Sequence, residues 1–328
     1  MTDTTLETAQ LGRTGMAITR VGFGAWAIGG GDWAFAWGPQ DDDASVQAIH
    51  HAVDAGINWI DTAAVYGLGH SEEVVGRALR DLPEGDRPLV FTKGGLVWDE
   101  SSRREQPRRV GDPASIRREA EASLKRLGVE TIDLYQMHWP ADDGTPIEDY
   151  WGAFVALRES GKVRAIGLSN HSVAELERAE AVGHVDALQP PFSAIHPEAA
   201  DELLPWCAAN GTGVIVYSPM GSGLLTGAFD ADRVASLPDD DWRRNSPDFT
   251  TDLEQNLGLG RRIGEVADAH GVPQAAAAVA WTLGFEGVTG AIVGARRPDQ
   301  IDGWISAAGL HLTAEDYARI GGRTPLGR

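Results

Sequence analysis

The strongest constraint on this chain is an alternation. Short apolar runs bounded by glycine or polar turns take turns with segments whose apolar residues recur at helical spacing. The runs fall at residues 21–24, 57–60, 89–92, 132–137, 163–168, 185–188, 213–217 and 289–293. Helical segments are predicted over 44–55, 147–160, 173–181, 197–210, 253–270, 273–283 and 298–308. Two more are predicted from their signals. Ser71 offers a cap to a stripe of Val74, Val75, Ala78 and Leu79. Asp112-Pro113 opens a helix carrying Ile116, Ala120, Leu124 and Leu127 that stops at Gly128.

Strands that alternate with helices imply a parallel sheet. Eight such units over roughly 290 residues fit a closed (β/α)8 TIM barrel, with an open Rossmann-type sheet as runner-up. Two short runs around Gly12-Arg13-Thr14-Gly15 predict an N-terminal β-hairpin. Residues 226–251, after strand 7, are too long for a simple connection and read as a lid. No composition break marks a linker, so residues 1–328 are expected to form one domain. In a barrel, chemistry gathers at the C-terminal ends of the strands.

The net charge of −20 excludes nucleic acid and anionic membrane as natural partners, because their phosphates would be repelled. It leaves room for a local basic pocket. Cys207 is the only cysteine, so neither a disulfide framework nor a cysteine zinc site is expected, and no metal is. The first residues carry no basic and apolar leader pattern, and no window approaches ~18 uninterrupted apolar residues. The expectation is a cytoplasmic protein; its oligomeric state is open.

Several motifs carry nothing. Gly22-Phe23-Gly24-Ala25-Trp26-Ala27 matches a relaxed dinucleotide fingerprint, but no helix opens at once behind it. Its glycines are expected to allow close backbone approach at the barrel mouth. Gly161-Lys162 is followed by valine, which rules out a P-loop. His50-His51, His184, His196 and His270 lack metal-ligand spacing, and Cys207 reads as buried packing.

Four polar residues stand apart. Asp61 ends the second apolar run, Lys93 the third and His138 the fourth, and Tyr66 lies in the loop after the second. Each alone has an ordinary explanation as a turn cap, a surface lysine, a loop histidine or rim packing. A barrel, however, sets these strand ends around one mouth. There Asp61 can keep Lys93 charged, and a cation beside Tyr66 is expected to lower its pKa from about 10. Tyr66 can then exchange a proton with a carbonyl oxygen that His138 orients. None of the four supplies hydride, so a nicotinamide cofactor is implied.

At these residues the chain resembles the aldo-keto reductases. The resemblance runs over nearly the whole length. It rests on Gly56 to Ala63 with Tyr66-Gly67 and Ser71-Glu72, on Thr92-Lys93, on Asp133 to Pro140, on Gly161 to Arg164, on Gly167 to Asn170, and on Tyr217 to Gly227. It is most similar to the bacterial branch of general-stress and inositol-operon reductases. The family's catalytic tetrad falls on Asp61, Tyr66, Lys93 and His138.

The resemblance also implies a bed for the cofactor. Ser169, Asn170 and Gln189 would meet the carboxamide, and Tyr217 would stack on the nicotinamide. Ser218, Pro219, Met220, Gly221, Gly223 and Leu224 belong to a loop around the pyrophosphate. Gly24, Trp26 and Asp61 would also lie beside the cofactor. Gly294 and Arg296, with Gln300 near the adenine, would meet an adenosine 2′-phosphate, which favours NADPH over NADH. Val293 stands where the family usually has proline, and Gly303 and Trp304 where it commonly has Glu then Asn; Pro190-Pro191 after Gln189 also departs from the pattern.

Trp26, Trp33, Phe35, Trp37, Trp98, Trp139, Trp242 and Phe249 fall in loops and could wall an apolar pocket. The reading is an NADPH-dependent reductase of aldehydes or ketones, reversibly an alcohol or sugar dehydrogenase, with a small-molecule partner. A non-catalytic cofactor sensor and a non-redox lyase or isomerase using Lys93 as a Schiff base are the alternatives.

Overall fold

The computed structural model describes residues 5–238 and 241–325. Eight parallel strands close into a barrel: β1 (Val21–Gly24), β2 (Trp59–Asp61), β3 (Leu89–Gly94), β4 (Ile132–Met137), β5 (Val163–Ser169), β6 (Ala187–Gln189), β7 (Gly213–Val216) and β8 (Val288–Gly294). Each pairs with its neighbours in sequence, and β8 pairs with β1. The expected barrel, hairpin and excursion after strand 7 are all present.

Helices cover the barrel from outside. Asp41 caps α1 (Asp42–Asp54) by accepting from the Ala44 amide at 2.8 Å. Asp112 caps α3 (Pro113–Leu127), whose first residue is the favoured N1 proline, and Gly128 ends it at φ 69°. The units continue through α4 (Ile147–Glu159), α5 (Val173–Glu180) and α6 (Leu203–Asn210).

Three expectations change. Ser71 lies inside α2 (His70–Asp81), which is capped by Gly69. Its hydroxyl instead donates to the Ala25 carbonyl at 2.8 Å and meets Thr62 Oγ1 at 2.9 Å, fastening α2 to the ends of β1 and β2. The span 197–210 divides into a 3-10 turn and α6, and the span 298–308 divides at Gly303. A last helix, Ala314–Ile320, is held by a Thr313–Asp316 capping box.

The barrel interior is filled rather than hollow. Trp59, Phe91, Leu134, Ile215 and Ile292 pack inside it, and Leu11, Met16 and Ile18 of the hairpin close the bottom. A Cβ on Gly22 would stand 2.1 Å from the Trp59 ring, so this glycine makes room for the indole in the floor. That corrects the placement of Gly22 at the mouth. Trp59 Nε1 donates to the Thr19 carbonyl at 2.8 Å, and Asn58 accepts from the Thr19 amide at 2.8 Å, which ties floor to hairpin. Among the described residues no helix is long and apolar enough to cross a membrane.

Candidate active site

The register aligns the strand ends that matter. Gly24 sits beside Asp61, and Lys93 beside Gln136. Asp61 and Lys93 therefore end neighbouring strands with side chains turned inward. They are 3% and 1% exposed, and Lys93 Nζ lies 2.5 Å from Asp61 Oδ1. The loop after β2 returns Tyr66 over this pair. Gly67, at φ 63°, permits the return, since a Cβ there would meet the Gly29 carbonyl oxygen at 2.0 Å.

The Lys93 ammonium donates to Asp61, to the Thr62 carbonyl at 2.9 Å and to the Tyr66 hydroxyl at 3.4 Å. Its three protons thus have three acceptors. Asp61 Oδ2 takes donors from Gln189 Nε2 at 2.8 Å and Gln136 Nε2 at 3.5 Å. Burial pushes Asp61 up and Lys93 down, and each partner's charge opposes the shift. With every polar contact of Asp61 a donor and every contact of Lys93 an acceptor, the ion pair is the state this geometry holds.

Burial, then the Asp61 charge, pushes the Tyr66 phenol well above its ordinary range. This corrects the expected lowering. The Lys93 charge is already answered by Asp61 at 2.5 Å, so little of it acts on the phenol. Tyr66 is held protonated, in the form that donates. His138 faces Tyr66 edge-on with ring centroids 5.6 Å apart. Burial, then the nearby Lys93 charge, pushes its imidazole well below the ordinary range, so the ring is neutral. Its Nδ1 is buried with no partner among the described residues.

Beyond these four, the ends of β4, β5 and β7 are joined by one amide. Asn170 Nδ2 donates to the His138 carbonyl at 2.9 Å and to Ser169 Oγ at 3.1 Å, and Asn170 Oδ1 accepts from the Tyr217 hydroxyl at 2.7 Å. Ser169 donates to the Gln189 carbonyl at 2.8 Å. Gln189 commits its Nε2 to Asp61 and to Gln136 Oε1 at 3.3 Å, which leaves its side-chain oxygen Oε1 toward the cavity. Sequence reasoning passed over Gln136; its signal was a polar residue inside the apolar run of β4.

A cavity of about 710 Å³ opens here and runs from Tyr66 and His138 to Arg296 and Gln300. Gly24, Trp26, Ser169, Asn170, Gln189, Tyr217, Ser218, Pro219, Met220, Gly223 and Gly294 also line it. Lys93 sits behind the wall, Gly221 is buried beside it, and Leu224 turns into the apolar cluster of Val234, Leu237 and Phe249 beneath the lid. Ser218, Gly221, Ser222 and Gly223 all have positive φ, which turns successive amides of this loop in a way that suits an anion. Length and lining suit a dinucleotide with a small molecule beyond it.

Of the eight loop aromatics, Trp26, Trp33, Phe35, Trp37, Trp139 and Trp242 reach the cavity. Trp98 is turned to Glu100, and Phe249 packs under the lid. The lid crosses the mouth to the loop between β1 and α1. Trp242 stacks on Trp26 with centroids 6.1 Å apart, and the Arg243 guanidinium lies 4.9 Å from the Trp37 ring. Asp239 and Asp240, which with Asp241 form an acidic run in the lid sequence, lie outside the described residues.

At the far end, Arg297 pairs with Asp299 at 3.0 Å, as a solvated helix start would. Arg296 donates to Gln40 Oε1 at 2.6 Å, to the Trp37 carbonyl at 3.2 Å and to the Pro39 carbonyl. Trp304 is buried in the core and Gly303 ends a helix, so neither offers a polar contact at the cavity.

The aldo/keto reductase family model matches residues 20–322. The chain belongs to the aldo/keto reductase family. Among its curated relatives is the aldo-keto reductase YhdN of Bacillus subtilis (strain 168), 35% identical over 317 residues, which are 96% of this chain and 92% of that one. The NADH-specific methylglyoxal reductase of Escherichia coli (strain K12) is 35% identical over 321 residues, 93% of this chain and 94% of that one. The solved glycerol dehydrogenase AKR11B4 of Gluconobacter oxydans is similar at TM-score 0.85 and 39% identity, covering 98% of this chain and 94% of that one. This aldo-keto reductase is therefore an oxidoreductase of carbonyls or alcohols from a family that uses a nicotinamide cofactor.

Proposed function

We propose that the chain is an NADPH-dependent reductase of aldehydes and ketones in which Tyr66 is the proton donor. One observation carries this reading. The Tyr66 hydroxyl accepts from Lys93 at 3.4 Å, and its own hydrogen is left to the cavity that runs to Arg296. A bound reduced nicotinamide supplies hydride at this site. The chain's own groups do the rest. Asp61 keeps Lys93 charged, Lys93 holds the phenol oxygen, and Tyr66 gives its proton to the oxygen of the substrate carbonyl. Neutral His138 orients that oxygen by a hydrogen bond. In the reverse direction Tyr66 takes the proton back.

The carboxamide of the cofactor has a partner in the side-chain amide oxygen Oε1 of Gln189, and the turned amides at 218–223 suit its pyrophosphate. The preference for NADPH rests on Arg296, whose hydrogen-bond partners among the described residues are neutral oxygens rather than carboxylates, so its charge is not neutralised before a phosphate arrives. A panel of carbonyls and alcohols run in both directions with both cofactors tests the proposal. It should include methylglyoxal and glycerol, the compounds in two relatives' names. Turnover with NADPH at a kcat/KM at least tenfold above NADH is expected; equal or better use of NADH removes the preference.

A further inference from the structure

Arg296 has a second attachment that the cofactor reading leaves unexplained. Its guanidinium is spent on the loop between β1 and α1, through Gln40 Oε1 at 2.6 Å, the Trp37 carbonyl at 3.2 Å and the Pro39 carbonyl. The contact is reciprocated, because Gln40 Nε2 donates to the Arg296 carbonyl at 3.0 Å and to Ser45 Oγ at 2.9 Å. The residues so held are part of the aromatic wall. The Trp37 ring meets Trp26 edge-on at 5.2 Å, and Trp26 stacks over Tyr66 at 6.1 Å. A guanidinium has five donors in one fixed plane, and it cannot give its best geometry to the loop and to a phosphate at once.

We propose that Arg296 is a specificity-determining residue that couples cofactor choice to the carbonyl pocket: a 2′-phosphate must take its guanidinium from the loop that carries Trp37. The inference rests on the reading of Arg296 as the 2′-phosphate contact. A cofactor without that phosphate leaves the loop pinned and the Trp37–Trp26 wall in place. One with the phosphate frees residues 37–40, and the wall beside Tyr66 relaxes. The dianion wins because the loop offers only neutral acceptors.

The test uses adenosine fragments that carry no nicotinamide, read by calorimetry and by tryptophan emission. The probes are 2′,5′-ADP and 5′-ADP, on the full chain. Wild type should bind 2′,5′-ADP more tightly than 5′-ADP, and only 2′,5′-ADP should alter the emission. Arg296→Ala should abolish both differences. Gln40→Ala removes a competitor for the guanidinium and should tighten 2′,5′-ADP about threefold to tenfold, with 5′-ADP unchanged. Gln40→Glu should loosen 2′,5′-ADP by a similar factor, whereas mere damage to the loop would weaken both ligands. If wild type shows no preference for 2′,5′-ADP, the phosphate reading fails and the coupling with it. If Arg296→Ala removes the preference but both Gln40 variants leave 2′,5′-ADP binding within twofold of wild type, the phosphate contact stands and the coupling is overturned.

Discussion

The Lys93 ammonium donates to the Tyr66 hydroxyl at 3.4 Å while lying 2.5 Å from Asp61. The shorter contact answers most of the lysine's charge. The phenol is therefore positioned by a cation but not acidified by it, and burial beside Asp61 pushes it well above its ordinary range.

The pH dependence follows from that sign. With Tyr66 as the proposed proton donor, reduction would need the protonated phenol, which is present below its folded pKa and lost as pH rises through it. With the pKa raised, kcat/KM for carbonyl reduction should show no falling limb from Tyr66 below about pH 10. Alcohol oxidation needs the phenolate and should climb over the same range. A reduction profile that falls between about pH 7 and 8 would mean the cation controls the phenol after all.

The buried pair makes a prediction about stability. Asp61→Asn or Lys93→Met leaves one buried ion without its partner, at a cost of about 3–5 kcal/mol by urea unfolding. Asp61→Leu combined with Lys93→Met removes both ions and should be more stable than either single change, while activity stays lost. If the two costs simply add, the residues are not a coupled pair.

The lid is held to the opposite loop by rings. Trp242 stacks on Trp26 with centroids 6.1 Å apart and meets Trp37 at 5.8 Å. Each such contact is worth about 0.5–1.5 kcal/mol. Trp242→Ala should speed cofactor release by about tenfold in stopped-flow measurements, with the association rate little changed. An unchanged release rate means that the lid does not close over the cofactor.

The floor gives a prediction about packing. A Cβ at Gly22 would stand 2.1 Å from the Trp59 ring, where the surrounding strands leave no space. Gly22→Ala should cost about 1–3 kcal/mol, and Trp59→Leu in the same chain should recover part of it. Unfolding curves that coincide with wild type would contradict the packing.

Much of this was legible in the residues. The strand–helix period carries the barrel, and polar residues at the ends of apolar runs carry Asp61, Lys93 and His138. What escaped was information held between distant elements. Ser71 has the composition of a cap, but its hydroxyl is claimed by Ala25 and Thr62 across the mouth. Gly22 sits in a motif that suggests a ligand, yet its neighbour is an indole arriving from β2. Arg296 reads as a free cation until Gln40 and Trp37 are brought to it from 256 and 259 residues away. The direction of the Tyr66 shift is set first by burial and then by the Asp61 charge, and no spacing encodes either.

The proposed proton donor is the Tyr66 hydroxyl, and one substitution isolates it. Tyr66→Phe keeps the ring over Lys93 and removes only the hydroxyl. Single-turnover reduction of an activated aromatic aldehyde, followed by loss of the reduced nicotinamide absorbance, measures the step directly. The rate should fall by about 10²–10⁴, with NADPH affinity by tryptophan quenching within about twofold of wild type. Turnover within about tenfold of wild type would contradict it and return the proton to another group.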